Sequence, residues 1–167
     1  MKLKSLVAAL FIAVILTPTA NGQDLRYQGD VEVGYRVGKL LGFAYNTASI
    51  NTSQGVRIND YLYTGIGLGL DIAHSPEVDG IDVFIPIGLN VIGYYPISET
   101  IQPFIYTDLG YGIYAMSGLN GGFNFGIGAG VELSMFRISL GHGRQSATSE
   151  GVTIGQNGFD IKLGIVF

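Results

Sequence analysis

The sequence predicts an all-β fold: an eight-stranded antiparallel up-and-down transmembrane β-barrel with an N-terminal signal peptide. The chain of 167 residues is 47% hydrophobic but only 13% charged, whereas a typical soluble domain is about 25% charged. From about residue 28 onward, apolar residues recur with a period of two, which is typical of β-strands. No apolar run approaches the about 20 residues that a membrane-spanning helix requires, so strands must provide any membrane span.

The N-terminus has the layout of a secretory signal peptide. Lys2 and Lys4 supply a short positive region, and the apolar run Leu6–Leu16 follows it. Small residues then occupy Ala20–Gly22, where a cleavage site needs them. Because the apolar run is too short to anchor the chain as a spanning helix, we predict that residues 1–22 are a cleaved signal peptide.

The remaining residues, 23–167, are predicted to form a single barrel domain without a linker. The chain contains no Cys, which fits an exported protein that folds without disulfide bonds. Its formal net charge is −4, and it has no basic stretch that could neutralise a phosphate backbone, so nucleic acid is excluded as a partner. The sequence predicts no cofactor.

Eight segments carry the alternation of apolar residues with polar or small ones. In chain order they span residues 31–38, 44–58, 62–72, 81–91, 105–114, 123–133, 136–141 and 159–167. The second segment alternates weakly, whereas the third has apolar residues at nearly every even position and mostly glycine at the odd ones. Many segments reach the about 9–11 residues that a tilted spanning strand needs, which is longer than the about 5–6 residues of an average soluble strand.

The two faces of these strands differ in chemistry. One face is almost purely aliphatic and aromatic, and the other carries glycine together with most of the strand charges. These charged residues are Glu32, Arg36, Asp71, Asp82, Asp108, Glu132, Arg137, Asp160 and Lys162. We predict that the apolar face meets lipid and that the charged face lines the lumen, where the charges form a paired polar network because buried charges need partners. Cation coordination and a narrow pore are the alternatives for these residues.

Glycine in the middle of a strand weakens it and requires a reason. An eight-stranded barrel supplies one, because its lumen is just wide enough for side chains to fill it. We expect the inward glycines to leave room for large aromatic side chains, namely Tyr63, Phe84, Tyr94, Tyr106 and Tyr114. Aromatic residues near the strand ends are expected to form the two interfacial girdles of a membrane barrel; they are Tyr61, Tyr95, Phe104, Phe123, Phe136 and Phe167.

The connections between strands are predicted to alternate in length. Asn59-Asp60 and Ser134-Met135 are read as tight turns, and the segment 96–103 as a compact one. The other connections, richer in Gly, Ser and Asn, are expected to be mostly longer; they lie near residues 39–43, 74–80, 115–121 and 144–157. Short periplasmic turns and longer external loops are typical of bacterial barrels.

Two stretches resemble known outer-membrane proteins. The last ten residues end in Phe167, and apolar residues alternate before it; this pattern is similar to the C-terminal insertion signal of such barrels, formed here by Phe159, Ile161, Leu163, Ile165 and Phe167. The stretch 55–71 resembles the second-hairpin motif of the outer membrane protein β-barrel domain families, which are small barrels of the OmpA/OmpX type.

This resemblance covers essentially the whole mature chain and implies architecture and location rather than activity. It implies residence in the outer membrane of a Gram-negative bacterium, insertion by the barrel-assembly machinery, and contact with outer-membrane lipid and lipopolysaccharide. A monomer is expected. The family carries no shared catalytic residues, and nothing follows the barrel that would correspond to a peptidoglycan-binding domain.

Two small groups of residues contain side-chain types that are used in catalysis or in metal binding. His142 has outward parity, and some small barrels modify lipid A with a lipid-facing His and Ser; Ser139, Ser146 and Glu150 are nearby in sequence, but the required His-x-Ser spacing places Arg144 where the Ser should be. His74 with Glu77 and Asp79 is a weak metal pattern in a predicted loop. The Gly-x-Gly runs at 65–69 and 126–130 lie inside strands and therefore do not form phosphate loops.

The function expected from these observations is structural or interactive: envelope integrity or contact at the cell surface, by a barrel whose lumen is filled with side chains. We do not expect an enzyme. The alternatives are a narrow channel for ions or small solutes and a lipid A-modifying enzyme. A soluble binder with its apolar face turned inward is a further alternative.

Overall fold

The computed structural model describes residues 24–76, 80–115, 120–149 and 152–167. It confirms the predicted all-β fold of eight strands. These are β1 (Leu25–Leu40), β2 (Phe43–Ile58), β3 (Leu62–His74), β4 (Ile81–Tyr94), β5 (Ile101–Tyr114), β6 (Gly122–Leu133), β7 (Phe136–Ser149) and β8 (Val152–Val166). The predicted signal peptide over 1–22 lies outside the described residues.

The sheet is a closed up-and-down barrel. Each strand pairs antiparallel with the next, and β8 returns to pair with β1 from Asp30↔Val166 to Leu40↔Gln156. Beyond this ladder, the backbone N–H of Gly29 donates to the carbonyl of Phe167 at 2.7 Å, and the N–H of Phe167 donates to the carbonyl of Gly29 at 2.9 Å. Closure pairs the backbone groups that an open edge would leave exposed, which is the condition for strands to cross a bilayer.

Side chains alternate between the outside and the lumen as the sequence predicts. Outward aliphatic residues such as Ile105 and Leu140 are 68% and 65% exposed, whereas inward residues such as Tyr63 and Phe84 are 0% and 1% exposed. An exposed apolar surface of this extent on a monomer signals contact with lipid or a partner. The outward apolar residues therefore form the lipid-facing band, and the core of the molecule is its lumen.

One end of the barrel, here called the turn end, carries the tight turns. Asn59 and Ser134 adopt positive φ values of 53° and 58° in two of them, and residues 95–100 form the third connection. The C-terminal residue Phe167 lies at the same end. The compact segment ends earlier than predicted, since Ile101 to Pro103 already belong to β5.

The opposite end, here called the loop end, is more regular than predicted. The connection from β1 to β2 is a turn at Leu41 and Gly42, with φ values of 51° and 94°, rather than a longer loop. The predicted loop over 144–157 is also wrong, because β7 continues to Ser149 and β8 begins at Val152. The alternation persists there with polar inward residues: Gln145 and Gln156 are each only 2% exposed. These polar strand extensions conceal the period-two pattern from a search for apolar residues.

The aromatic residues predicted for the girdles point outward except at one position. Phe104 was predicted to lie at the interface, but it points into the lumen and is 4% exposed. Its ring packs between Tyr94 and Tyr106, at centroid distances of 5.8 and 6.3 Å. The other girdle residues are exposed, as expected: Tyr61, Tyr95, Phe123, Phe136 and Phe167.

The part of the chain that the structure describes contains no helix long and apolar enough to cross a membrane.

Candidate functional site

The polar lumen is the candidate site, and its turn end is filled by a group that we call the arginine cluster: Arg57, Arg137, Asp30, Glu132 and Tyr94. The Arg137 guanidinium is 1% exposed and reaches both acids, with Nη1 at 2.8 Å from Asp30 Oδ2 and Nη2 at 3.0 Å from Glu132 Oε2. Nη2 also donates to the Tyr94 hydroxyl at 2.8 Å. One guanidinium thereby ties together β1, β4, β6 and β7.

Arg57 completes the arginine cluster from β2. Its Nη1 lies 3.6 Å from Glu132 Oε1, and its guanidinium carbon stacks 4.0 Å above the centre of the Tyr94 ring. It also donates to Gln28 Oε1 at 3.3 Å and to the carbonyl oxygen of Asp60 at 3.0 Å. Several hydrogen bonds from one planar group, combined with stacking of that group on an aromatic face, are a property of arginine that lysine lacks.

Sequence reasoning missed two members of this cluster, Asp30 and Arg57. Asp30 precedes the first residue at which the alternation is clear, and Arg57 lies in the weakly patterned second strand. Both residues could have been found from their odd or even position along the strand, which decides the face on which a side chain lies. Asp30 shares the parity of the inward Glu32, and Arg57 shares that of Ser53, whose hydroxyl lies 2.6 Å from the inward Tyr63 hydroxyl.

The middle of the lumen holds two further ion pairs. Lys162 Nζ lies 3.2 Å from Asp108 Oδ2 and 4.6 Å from the centre of the Tyr106 ring. On the neighbouring strand, Arg36 Nε lies 3.4 Å from Asp160 Oδ1. Asn90 donates a hydrogen bond to Asp108, and Arg36 Nη1 donates to Gln145 Oε1 at 3.5 Å, so each pair has a further polar contact.

Glu32 links this middle layer to the arginine cluster, since its Oε1 lies 3.5 Å from Arg137 Nη1. Asp71 behaves differently: it is 5% exposed, and among the described residues it takes part in no hydrogen bond or ion pair. Its carboxylate lines a cavity of about 100 Å³ between the layers.

The loop end is filled by a separate group. The Tyr45 hydroxyl donates to Asp82, and the Gln156 amide donates to Thr47 Oγ1 at 2.9 Å and to the Tyr45 carbonyl at 3.0 Å. The rings of Phe84 and Tyr114 meet edge to face at 4.9 Å. The structure thus divides the nine predicted network residues among three layers, with Asp82 apart from the rest.

The described residues considered for catalysis do not come together. His142 faces outward, and its ring meets Phe159 edge to face at a centroid distance of 5.3 Å. Ser139 faces the lumen and is 2% exposed. Ser146 shares the outward parity of His142, but it is four residues further along β7, about 13 Å away at the usual rise of a strand, so neither hydroxyl is within hydrogen-bond reach of the imidazole. Glu150, the proposed acid, lies outside the described residues.

The weak metal pattern at the loop end stays a prediction, because Glu77 and Asp79 lie outside the described residues. Among the residues that are described, no three His, Cys, Asp or Glu side chains converge as a metal site would require. The glycine runs lie inside β3 and β6, so neither forms a phosphate loop.

The alternate residues of the predicted insertion signal all point outward from β8 and the C-terminus. Phe159, Ile161, Leu163, Ile165 and Phe167 are between 45% and 75% exposed. β8 is the strand that closes the sheet against β1, so these side chains lie on the lipid side of the closing seam.

Comparison with known proteins gives structural likeness without sequence likeness. No protein-family model matches the chain, and no curated protein matches it in sequence. The outer membrane enzyme PagL superposes with a TM-score of 0.60 at 14% identity, over 80% of this chain and 98% of that chain. The N-terminal β-barrel domain of Pseudomonas aeruginosa OprF gives 0.53 at 13% identity, over 86% and 100%. Neisserial surface protein A gives 0.53 at 14% identity, over 88% and 100%.

Identities this low establish the fold and leave activity open, because one fold hosts many functions. The geometry of the barrel agrees with this structural likeness, because the strands close on themselves and the closed wall presents a continuous apolar band outward. The chain therefore has the fold of the small eight-stranded outer-membrane β-barrels, with the closed wall and the outward apolar band that a membrane-spanning barrel requires.

Proposed function

We propose that this protein is a structural barrel of the outer membrane that does not conduct ions and that acts through its outer surface. The observation that carries the proposal is the arginine cluster. It spans the lumen with contacts from five strands, β1, β2, β4, β6 and β7. Buried aromatic and aliphatic side chains of the lumen pack together with Tyr94 of this cluster; they are Tyr63, Ile92, Phe104 and Tyr106.

Planar-bilayer recording tests the closed lumen. We expect refolded protein to insert and give a flat current trace, because the guanidinium of Arg137 and its acids occupy the lumen cross-section. Heat-modifiable migration of the same sample on gels is the control that the barrel is folded. Current steps of constant size, recorded from heat-modifiable protein, would contradict the proposal.

A narrow cation channel is the second candidate, and the mid-lumen cavity beside Asp71 favours it. In that case the recording gives small cation-selective steps, and Asp71→Asn reduces their selectivity. The bilayer recording therefore distinguishes the closed barrel from the narrow channel.

We propose no catalytic role. This rests on the side-chain geometry around His142: its ring packs against Phe159, Ser139 faces the lumen, and Ser146 is four residues away along the strand.

The outer surface offers a contact for lipopolysaccharide at the loop end. Arg144 and Lys39 are exposed and outward, and Asn157 lies between them, since it is opposite Arg144 in the β7–β8 ladder and opposite Lys39 in the β1–β8 ladder. Neither base forms an ion pair with a described residue. All described acidic residues of the strands face the lumen, so this outward surface carries positive charge that attracts lipid phosphates.

Replacing both bases tests this contact. We expect added lipopolysaccharide to raise the thermal unfolding midpoint of the wild-type barrel in detergent micelles, because a ligand that binds only the folded state stabilises it. The double variant Lys39→Gln, Arg144→Gln is expected to lose most of that rise. Arg26→Gln is the matched control at the turn end, where Arg26 pairs with Asp24 and Asp60. An equal rise in the double variant and in the wild type would remove lipopolysaccharide from the proposal.

A further inference from the structure

The lumen holds more carboxylates than bases. Among the described residues it contains seven acids, Asp30, Glu32, Asp71, Asp82, Asp108, Glu132 and Asp160, and four bases, Arg36, Arg57, Arg137 and Lys162. The bases at the turn end are committed to the arginine cluster. The middle layer must therefore compensate its acids with Arg36 and Lys162.

Both of those bases are already paired. Lys162 lies 3.2 Å from Asp108, and Arg36 lies 3.4 Å from Asp160. Asp71, on β3, remains without a base. It is only 5% exposed, and its carboxylate has no hydrogen-bond or ion-pair partner among the described residues. An ionised carboxylate in such a place is costly unless a counter-charge compensates it.

The space beside Asp71 is large enough for that counter-charge. The cavity totals about 100 Å³ and extends from Asp71 to the arginine cluster, so that Arg36, Arg137 and Lys162 also line it; about 10–15 Å³ of such space accommodates one water molecule. A cation that keeps part of its hydration shell fits this volume together with its waters.

Oxygen atoms surround the same space. Ser49 lies opposite Asp71 in the β2–β3 ladder, and Asn51 lies opposite Gly69, one inward position further along. Both line the cavity, as does Asn90, whose buried Oδ1 has no hydrogen-bond partner. Carboxylate, amide and hydroxyl oxygens are the ligands that alkali and alkaline-earth cations prefer, whereas nitrogen and sulfur ligands favour transition metals.

We propose that the mid-lumen cavity is a binding site for a hard, partly hydrated cation, held by the Asp71 carboxylate with oxygens of Ser49, Asn51 and Asn90. A single free carboxylate and neutral oxygens make a weak, exchangeable site. Its role is to complete the charge balance of a barrel core. This inference is independent of conductance: a closed barrel can hold the ion, and failure of the site leaves the proposed function unaffected.

The test uses the mature barrel refolded in zwitterionic detergent. Its thermal unfolding midpoint is measured by heat-modifiable migration and circular dichroism, at constant ionic strength, in choline chloride, NaCl, KCl, MgCl₂ or CaCl₂. Constant ionic strength keeps the general screening of surface charges equal in all five salts, so screening does not account for a difference between them. We expect at least one small cation to raise the midpoint by several degrees over choline, with saturation, as linkage requires; the salt series then distinguishes alkali from alkaline-earth ions.

Two variants locate the effect. Asp71→Asn removes the charge, and Gly67→Val fills the cavity without changing any charge, since a Cβ at Gly67 meets no atom closer than 3.7 Å. For each variant, we expect the unfolding midpoint to be the same in choline chloride as in every other salt. Asp82→Asn, at the loop end beside Tyr45, is the control and should keep the cation response. Identical midpoints for the wild type in choline and in every small cation overturn the proposal, and so does a cation response that survives in Gly67→Val.

Discussion

Arg137→Met should destabilise the barrel by about 3–5 kcal/mol, the usual effect of removing one partner from a buried ion pair. The substitution keeps an apolar side chain of similar length but leaves Asp30 and Glu132 buried without their closest cation, which contacts them at 2.8 and 3.0 Å. It also removes a donor to the Tyr94 hydroxyl. Urea-induced unfolding of the barrel in lipid vesicles, followed by gel migration, measures the change.

The control is an arginine with similar partners at the surface. Arg26 pairs with Asp24 and Asp60, and its side chain is 51% exposed. Arg26→Met should change the free energy of unfolding by about 1 kcal/mol at most, because water compensates exposed charges.

A second substitution separates charge from packing. Adding Glu132→Gln to Arg137→Met removes one of the stranded carboxylates, so we expect the double variant to regain part of the lost stability. Two results would contradict this: Arg137→Met lowers the free energy of unfolding no more than Arg26→Met does, or adding Glu132→Gln lowers it further. Either result means that Arg137 stabilises the barrel through its aliphatic stem and not through its charge.

The direction in which each side chain points could be predicted from the sequence, because parity along a strand decides it. The period of two placed Tyr63 and Phe84 inside and Ile105 and Leu140 outside, as the structure shows. The prediction failed where a residue was assigned by its type and its position near a strand end instead of by its parity. Phe104 was assigned to the girdle because it is aromatic, although its parity is that of the inward Tyr106.

The pairing of charges within the lumen could not be predicted in the same way. Asp30 and Arg137 are 107 residues apart, and they meet because the stagger between strands brings β1 and β7 to the same height. The alternation gives the face of a residue but not its height across a closed sheet, since height depends on the register of every ladder between the two strands. For the same reason Asp82, which shares a face with Asp108, lies in another layer.

The packing of the lumen leads to the second large effect: Gly112→Val should cost about 2–3 kcal/mol, the upper part of the about 1–3 kcal/mol range found when a filled core is overpacked. The Phe84 ring lies directly over Gly112, where a Cβ would overlap it. Phe84 is 1% exposed and meets Tyr114 edge to face, so neither ring has room to move aside. Chemical denaturation of the refolded barrel measures the loss.

Gly67→Val is the matched control for Gly112→Val, because both glycines are inward positions in the middle of strands. A Cβ at Gly67 meets only backbone oxygens of Thr52 and Gly88, at 3.7 and 4.0 Å, and the cavity beside it accepts the rest of the side chain. We expect this variant to be neutral or slightly stabilising, since replacing glycine at a compatible position reduces the entropy of the unfolded chain. Equal losses at both positions would mean that strand glycines serve sheet curvature generally. A loss confined to Gly112 means that glycine is required there because an aromatic ring covers the backbone.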